Sequence, residues 1–427
     1  MALREPVLRA SIACVSILAA VVLAGSCRGG SGAPVLTISG SAVGREADLL
    51  QRQIARFEAA HPPLRIEIQP TPDASDDRHQ LYVQWLNAHA DDPDVLQLDV
   101  VWTAEFAAAG WILDLERFAP ALSDFFPAAA ESVRWNSRPY ALPWFVDVGM
   151  LYWRTDLMAE PPRTFTELAG IAARSIASGR VPYGLVWQGA RYEGLVTVFL
   201  EYLSGFGGRI LDERGAVAVD SDAAVGALTM MRDQIVAQKI VPSAVLTWQE
   251  EQVRFAFQNA QAAFMRNWPY AYPLLEDAAR SRVAGRFAVA AMPAGEGGAS
   301  GAALGGSQLA VNAYSDRPDA AYALVAYLTE PAQMLERAEA VGQFPARESL
   351  YGKGPLAAAL AIDPAAAREI ISRAVVRPVT PVYAELSEIL QIHLHRVLTR
   401  QEEPRPGLRE AADAMRRLFN RTRLAAS

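Results

Sequence analysis

Residues 35–101 decide the predicted fold, and they read VLTISGSAVGREADLLQRQIARFEAAHPPLRIEIQPTPDASDDRHQLYVQWLNAHADDPDVLQLDVV. Three stretches within them have the composition of β-strands: Val35–Ser39, Leu64–Gln69 and Val95–Val101. The second stretch alternates apolar and polar residues, which predicts one buried face. The third is largely apolar before Asp99, which is typical of a strand buried on both faces.

The segments between these strands have helical periodicity. After Glu46, the residues Leu50, Ile54 and Phe57 recur on one face of a predicted helix, which the prolines after His61 end. A second helix fits Asp77–Ala90. The resulting order β-α-β-α-β predicts a doubly wound α/β domain.

The alternation of strands and helices continues along the rest of the chain. Further predicted strands are Tyr140–Tyr152, Tyr183–Trp187, Ala262–Arg266, Phe287–Met292 and Leu309–Asn312, and long helices fit Asp222–Gln238, Pro318–Thr329 and Glu385–Thr399. The glycine-rich stretch Gly295–Gly306 lacks the Lys-Ser/Thr pair of a phosphate-binding loop, so we predict a mobile connection there.

Length and composition limit the class of protein. A chain of 427 residues predicts two or three domains, and its content of 51% hydrophobic and 20% charged residues is typical of a globular protein. The net charge of −7 provides no basic excess, so a nucleic-acid partner is not expected.

The N-terminus has the pattern of a secretory signal. Arg4 and Arg9 precede the uncharged run Ala10–Ala24, which is too short to span a membrane. The segment Leu23–Cys27 resembles the bacterial lipobox, although Ala24 stands where Leu is favoured. We therefore predict a signal peptide over residues 1–26, a lipidated Cys27, a flexible tether over residues 27–34 and a location as an exported cell-envelope lipoprotein. The alternative is a plain signal peptide with an incidental cysteine.

The cysteines and histidines give no sign of a metal. Cys14 lies in the predicted signal peptide, so the mature chain would retain only Cys27 and have no disulfide. Among the five histidines, His393 and His395 are two residues apart on a predicted helix and point in different directions. We expect neither a metal nor another cofactor.

Three acidic residues fall where ligands bind in α/β folds. Glu46 follows the first βα turn, Asp99 ends the third strand, and Asp147 interrupts an apolar run. A carboxylate at such a place is costly unless it is paired or hydrogen-bonded. Each is either a ligand-binding group or part of a helix cap or internal salt bridge.

Aromatic residues and one arginine are the other candidates. Trp268 and Tyr270 flank a proline directly after a predicted strand, and flat rings can stack on the C–H face of a sugar. Core packing is the alternative, and it is an equal one for Phe145. Arg377 precedes Pro378 and is either a clamp on a stiffened loop or a surface residue.

Longer stretches carry a family resemblance that covers nearly the whole mature chain. They are DPDVLQLDVVWTAEFAAAGW (residues 92–111), ALPWFVDVG followed by LYW (141–153), LVWQGARYEGLV (185–196), QNAQAAFMRNWPYAY (258–272) and VVRPVTPVYAELSEI (375–389). In these stretches the chain resembles the trehalose/maltose-binding proteins of archaeal ABC importers and the trehalose-binding lipoproteins of mycobacteria, which are extracellular solute-binding proteins.

The resemblance implies a type II periplasmic-binding-protein fold, in which two doubly wound α/β lobes are joined by a three-segment hinge and close on a ligand. The boundaries that we derive are residues 35–143 plus 289–318 for the N-terminal lobe and residues 144–288 plus 319–427 for the C-terminal lobe.

The resemblance also implies the ligand-binding residues. They are Glu46, Arg78, Asp99, Phe145, Asp147, Trp268, Tyr270, Gly306 and Arg377, with Trp268 and Tyr270 as the stacking platform. The archaeal proteins have a Trp where this chain has Ser307 and Trp-Asn where it has Gln343-Phe344. Phe344 is a candidate for the substitute ring.

The function implied is that of a monomeric binding lipoprotein, which captures an α-linked disaccharide such as trehalose or maltose and delivers it to an ABC permease with its ATPase. Two alternative functions remain open. A secreted glycosidase would use paired carboxylates, and a surface adhesin or structural lipoprotein would bind no small molecule tightly.

Overall fold

The computed structural model describes residues 33–40, 45–295, 298–352, 354–360 and 362–422. The predicted signal peptide, Cys27 and most of the predicted tether lie outside these ranges. The strands in chain order are β1 (Val35–Gly40), β2 (Arg65–Pro70), β3 (Val95–Asp99), β4 (Arg134–Trp135), β5 (Arg138–Pro139), β6 (Ala141–Val148), β7 (Met150–Arg154), β8 (Tyr183–Val186), β9 (Ala262–Asn267), β10 (Phe287–Ala291), β11 (Leu304–Val311) and β12 (Phe344–Pro345).

The helices complete the element order. In chain order they are α1 (Glu46–Ala60), α2 (Ser75–Asn87), α3 (Thr103–Ala108), α4 (Pro127–Ser132), α5 (Phe165–Ala177), α6 (Glu193–Gly205), α7 (Asp222–Val236), α8 (Glu250–Gln258), α9 (Ala271–Leu275), α10 (Pro318–Leu328), α11 (Pro331–Val341), α12 (Leu356–Ala359), α13 (Pro364–Ser372), α14 (Tyr383–Leu398) and α15 (Pro404–Thr422). Within the described ranges, no helix combines the length and the apolar composition that a bilayer crossing requires.

The first lobe is built on a six-stranded mixed sheet with the strand order β12-β6-β11-β3-β1-β2. The strands β2, β1 and β3 are parallel, whereas β11 runs antiparallel to β3 and β6. The predicted β-α-β-α-β start is confirmed, with each element within three residues of its predicted bounds. Helix α1 buries the predicted stripe of Leu50, Ile54 and Phe57, and burial of each such side chain contributes about 1.5–3 kcal/mol.

The second lobe is built on a four-stranded sheet with the strand order β10-β7-β9-β8. Only β8 and β9 are parallel, and β7 is antiparallel to both of its neighbours. Helices α6, α7, α14 and α15 pack against one another in this lobe. Helix α6 is buried around most of its circumference because it lies between other elements of the lobe.

Three segments cross between the lobes. Gly149 alone separates β6 of the first sheet from β7 of the second, residues 292–303 join β10 to β11, and residues 373–382 join α13 to α14. The crossings are hydrogen-bonded to one another, since the Gly149 amide donates to the Ala303 carbonyl at 3.3 Å and the Val375 amide donates to the Ala302 carbonyl at 2.7 Å. The three-segment hinge is therefore a single cross-linked unit.

The lobe boundaries differ from the predicted ones in three places. Residues 289–291 were predicted in the first lobe, but they belong to β10 and hence to the second sheet. Residues 144–148 belong to β6 and hence to the first sheet. Residues 319–372 were predicted in the second lobe, but β12 pairs with β6, and α10 packs on β3, β6 and β11. The chain therefore remains in the first lobe until the third crossing. In addition, β11 begins at Leu304, so the end of the glycine-rich stretch is strand and not mobile connection.

Candidate functional site

A cavity of about 370 Å³ lies between the two lobes, beside the hinge. All nine predicted ligand-binding residues line it: Glu46, Arg78, Asp99, Phe145, Asp147, Trp268, Tyr270, Gly306 and Arg377. They come from the first sheet, from the turn after β9, from helix N-termini and from the third crossing. The structure thus brings the predicted residues together, while their role in binding stays a prediction.

Asp147 provides an unusual carboxyl group. It lies near the end of β6, two residues before the first crossing, and its Oδ1 has no hydrogen-bond partner among the described residues. Burial, followed by the nearby Glu46 carboxylate, raises the pKa of Asp147 to about 8. This group is therefore mostly protonated at neutral pH and has a free oxygen for a ligand.

Glu46 is held from behind by a buried network. Gln343 donates from Nε2 to Glu46 Oε1 at 2.7 Å, and its own Oε1 accepts from Arg337 Nε at 2.9 Å and Nη2 at 2.6 Å. The Arg337 guanidinium also lies 3.9 Å from the ring centroid of Trp144. Burial lowers the pKa of Arg337 to about 10. The network fixes the Glu46 carboxylate at the cavity wall.

Arg377 bridges carboxylates from both lobes. Its Nη2 donates to Asp99 Oδ1 at 2.8 Å and its Nη1 donates to Glu193 Oε1 at 2.7 Å. Burial lowers the pKa of Arg377, but the two adjacent carboxylates outweigh this effect and hold that pKa above its ordinary value. Tyr383 and Ser387 also donate to Glu193. The Arg377 Nε has no partner among the described residues and remains for a ligand.

Arg78 is a second arginine of the cavity with an Nε that is unpartnered in the described part of the chain. Its Nη1 donates to the Pro72 carbonyl at 3.1 Å, and its guanidinium carbon lies 5.5 Å from the ring centroid of Trp102. Its Nε is buried without a partner among the described residues. Buried polar atoms are nearly always hydrogen-bonded, so the two unpartnered donors and the unpartnered carboxyl oxygen give this cavity a polar lining that water or a polar ligand can satisfy.

The predicted aromatic platform faces the cavity from the second lobe. The Arg266 guanidinium carbon lies 3.8 Å from the ring centroid of Trp268, and Trp268 Nε1 donates to Glu250 Oε1 at 3.4 Å. Tyr270 donates its hydroxyl to Glu251 Oε1 at 2.8 Å. Charged neighbours thus contact both rings and restrict their orientation.

Gly306 allows the close approach of β11 to β6. Its φ is +116°, and a Cβ there would lie 2.3 Å from the Phe145 carbonyl oxygen, so only glycine fits. The register of the two strands shifts directly afterwards, between Ser307 and Gln308. Ser307 lines the cavity beside this irregularity, and its Oγ accepts from Gln97 Nε2 at 3.0 Å.

The expectation for Phe344 requires correction. This ring is fully buried in the core of the first lobe, because β12 pairs with β6 and directs Phe344 away from the cavity. Its neighbour Gln343 lines the cavity instead. No substitute ring is therefore provided at Phe344.

Contacts across the cleft hold the lobes together. Asp76 of α2 accepts at Oδ1 from the Glu193 amide at 3.2 Å and at Oδ2 from Gln391 Nε2 at 3.0 Å. On the other side of the cavity, a Cβ added to Gly342 would lie 2.8 Å from Pro273 Cδ of the second lobe. The structure is therefore a closed arrangement.

Sequence reasoning missed several residues that line the cavity. They are Asp73–Ser75, Gln97, Tyr192–Gly194, Thr197 and Gln249–Gln252. The segment Tyr192–Gly194 begins α6 and lies inside one of the stretches that carried the resemblance, so a signal existed. The helix capping box of Gln249 and Gln252 was a second signal, since it marks a helix N-terminus at the cavity.

Within the described ranges, one group of side chains has the composition of a metal site. Side-chain donors of His393, Glu402 and Glu410 lie within 4.8 Å of one another, on the hairpin of α14 and α15 and away from the cavity. Arg396 already donates to Glu402 Oε1 at 3.0 Å, which opposes a cation there. The expectation of no metal stays a prediction.

Comparison with known proteins agrees with this geometry. Residues 44–335 match the model of the bacterial extracellular solute-binding protein family. The chain belongs to this family. A probable ABC transporter-binding protein of Deinococcus radiodurans is 37% identical over 371 residues, which cover 83% of this chain and 87% of that protein.

Solved structures of other solute-binding proteins have the same fold. Maltose-bound MalE3 of Thermotoga maritima is 41% identical, with a TM-score of 0.86 over 90% of this chain and 100% of that one. The GacH receptor of Streptomyces glaucescens, solved unliganded and with acarbose, is 26% identical, with a TM-score of 0.80 over 91% of this chain and 99% of that one. The type II two-lobe fold of this solute-binding protein is thus confirmed.

Proposed function

We propose that this solute-binding protein captures an α-linked disaccharide of the maltose or trehalose type and delivers it, chemically unchanged, to the permease of an ABC importer. The observation that carries the proposal is the chemistry of the interlobe cavity. An aromatic platform lies on one side, and buried polar atoms without protein partners lie on the others. The 41% identity to a maltose-bound relative supports the same class of ligand.

The cavity matches the two kinds of surface that a pyranose presents. The Trp268 ring offers an apolar face for the C–H face of a sugar, a contact worth about 1 kcal/mol beyond the area that it buries. Sugar hydroxyls can donate to Asp147 Oδ1 and accept from the Nε atoms of Arg78 and Arg377. A volume of about 370 Å³ falls in the range of small-molecule sites.

Lobe closure provides the rest of the mechanism. Bonds such as those from Glu193 and Gln391 to Asp76 form only when the lobes meet, and they bury the ligand between them. A ligand that contacts both lobes favours the closed form because its affinity for that form is higher. The closed form then docks on the permease, and opening there releases the sugar.

A secreted glycosidase is the second candidate, and one observation favours it. Burial raises the pKa of Asp147 to about 8, and the general acids of glycosidases also have a raised pKa. Incubation of the protein with maltose and with trehalose separates the two functions. We expect no released glucose, and steady release would replace the binding function with hydrolysis.

We also propose that the protein is exported and anchored through a lipid on Cys27, from which the residues up to Pro34 form a tether. Replacement of Cys27 by Ser tests this directly. The variant is expected in the soluble fraction of the producing cell and the wild type in the membrane fraction. Equal partitioning of both would refute lipid anchoring without affecting the binding function.

Calorimetric titration of residues 28–427 tests the main proposal. We expect micromolar or tighter binding of maltose or trehalose, weaker binding of glucose, and loss of binding in Asp99→Ala. Absence of heat with maltose, trehalose, sucrose and glucose would refute the disaccharide assignment. A surface adhesin or structural lipoprotein would in addition show no rise in Tm with any of the four sugars.

A further inference from the structure

We propose that Arg266 and Glu201 are positioning residues, which hold the Trp268 ring at the cavity and connect it to the hinge. The inference rests on the proposed function of the cavity in sugar binding. It assigns a role to a fully buried ion pair that lies behind the cavity wall and does not itself contact the cavity.

The first step is the contact between Arg266 and the indole. The guanidinium carbon lies 3.8 Å from the ring centroid of Trp268. Trp268 lines the cavity and Arg266 does not, so the guanidinium covers the ring face that points away from the ligand. A cation at this distance attracts the ring and restricts its rotamer.

Glu201 and Gln188 hold the Arg266 guanidinium in place. Its Nη2 donates to Glu201 Oε1 at 2.5 Å and its Nε donates to Glu201 Oε2 at 2.9 Å. Its Nη1 donates to Gln188 Oε1 at 3.3 Å, and the side chains of Arg266 and Glu201 are 1% and 0% exposed. Such a two-pronged pair fixes both the position and the plane of the guanidinium.

Glu201 in turn contacts the hinge. Glu201 Oε1 accepts from the Ala303 amide at 3.3 Å, and the Ala303 carbonyl accepts from the Gly149 amide at the same distance. A Cβ at Gly149 would lie 1.7 Å from Glu201 Oε1, so this crossing has room for glycine alone. The carboxylate therefore contacts two of the three crossings.

Together these contacts form a continuous connection from the sugar platform to the hinge. Rotation of the lobes changes the backbone at Gly149 and Ala303, and Glu201 is the side chain that both of them contact. A saccharide on Trp268 therefore favours the hinge geometry in which Glu201 contacts the hinge and Arg266 contacts both Glu201 and the indole.

The test compares a variant with a matched control. The double variant Arg266→Met with Glu201→Gln removes both charges at once and so leaves no unpaired buried charge. The control, Arg154→Met with Asp156→Asn, removes another ion pair of the second lobe, in which Arg154 Nη2 lies 2.6 Å from Asp156 Oδ2. Arg266→Lys, which keeps the charge but not the two-pronged bond, provides a milder variant if the double variant does not fold.

Three measurements are made on each protein. Calorimetry gives the Kd for maltose and for trehalose. Tryptophan emission, recorded with and without Trp268→Phe in each background, isolates the spectrum of Trp268. Hydrogen exchange of the Ala303 amide, with and without saturating sugar, follows the hinge.

We expect the double variant to bind about tenfold more weakly, to shift the Trp268 spectrum and to lose most of the sugar-dependent protection at Ala303. Arg266→Lys is expected to change all three in the same direction by less, and the control to change none. The inference would be overturned if the double variant kept the wild-type Kd, the wild-type Trp268 emission spectrum and the wild-type protection of the Ala303 amide. If the wild type binds neither sugar, the proposed function fails, and the Trp268 spectrum still decides whether Arg266 holds the ring.

Discussion

Replacement of Asp147 by Asn tests the electrostatics of the cavity. The Asp147 carboxyl is buried near Glu46, and burial together with that neighbour raises its pKa from 3.8 to about 8. Asn has nearly the same shape and cannot ionise. The substitution therefore removes the titration and keeps the packing.

The sign of the effect follows from proton linkage. Between pH 4 and pH 8 the folded protein retains a proton on Asp147 that the unfolded chain releases, so the free energy of unfolding falls as the pH rises. One pKa unit corresponds to about 1.4 kcal/mol. Over the three units from pH 5 to pH 8, Asp147→Asn is therefore expected to become more stable relative to the wild type by at most about 4 kcal/mol.

Urea unfolding of both proteins at pH 5, 6, 7 and 8 measures this difference. Asp319→Asn is the matched control, because its carboxylate is exposed and pairs with Arg117 on the surface. We expect the control to follow the wild type within about 0.5 kcal/mol. A stability difference between Asp147→Asn and the wild type that does not change with pH would refute the reasoning.

Sugar binding is expected to depend on the same proton. If sugar hydroxyls donate to the ionised Asp147 carboxylate, binding below pH 8 releases a proton and the affinity rises with pH towards 8. Calorimetry in two buffers with different ionisation enthalpies measures that proton directly. No proton exchange at pH 7 would mean that the neutral carboxyl is the form that binds.

Three other substitutions follow from the geometry. Trp268→Ala is expected to weaken sugar binding about tenfold, measured by calorimetry, because the stacking face is lost; an unchanged Kd would place the sugar elsewhere. Gly342→Ala is expected to weaken sugar binding more than Gly110→Ala. Both glycines have φ above +70°, but only a Cβ at Gly342 meets the opposite lobe. Equal effects of the two substitutions would mean that the contact at Gly342 does not contribute to lobe closure. Arg377→Met is expected to lower the free energy of unfolding by about 3–5 kcal/mol, because the half-buried Asp99 and the buried Glu193 both lose their counter-charge. The exposed Arg373→Met should change it by under about 0.5 kcal/mol.

The first half of the first lobe was predictable because its signals are local. Strand alternation, the apolar stripe of α1 and the prolines after His61 each act within about ten residues. They sufficed for the bounds of β1, α1, β2, α2 and β3 within three residues. The placement of Asp99 at the end of a buried strand followed from the same local pattern.

The lobe boundaries were less predictable. An amphipathic helix such as α10 shows which of its faces is buried, but not which sheet it covers. The two-residue strand β12 is too short to give a periodic pattern, although its pairing with β6 keeps residues 344–345 in the first lobe. Only the three-dimensional connectivity places the third crossing after α13.

The candidate site shows the same division between local and distant information. The residue types and family-like stretches indicated which side chains face the cavity. They did not indicate that Arg377 joins Asp99 to Glu193, because these residues are far apart in the sequence and Glu193 was not a candidate. The ion pair of Arg266 and Glu201 was missed for the same reason.

The pairing of charges in the cavity also affects which charge the ligand can have. Asp99 and Glu193 share the Arg377 guanidinium, Glu46 is bonded through Gln343 to a guanidinium, and Asp147 holds a proton at neutral pH. The protein itself thus compensates or neutralises these four carboxyl groups, so they do not require a cationic ligand. A neutral polyol with one apolar face needs only hydrogen-bond partners and a ring to stack on, and both are present.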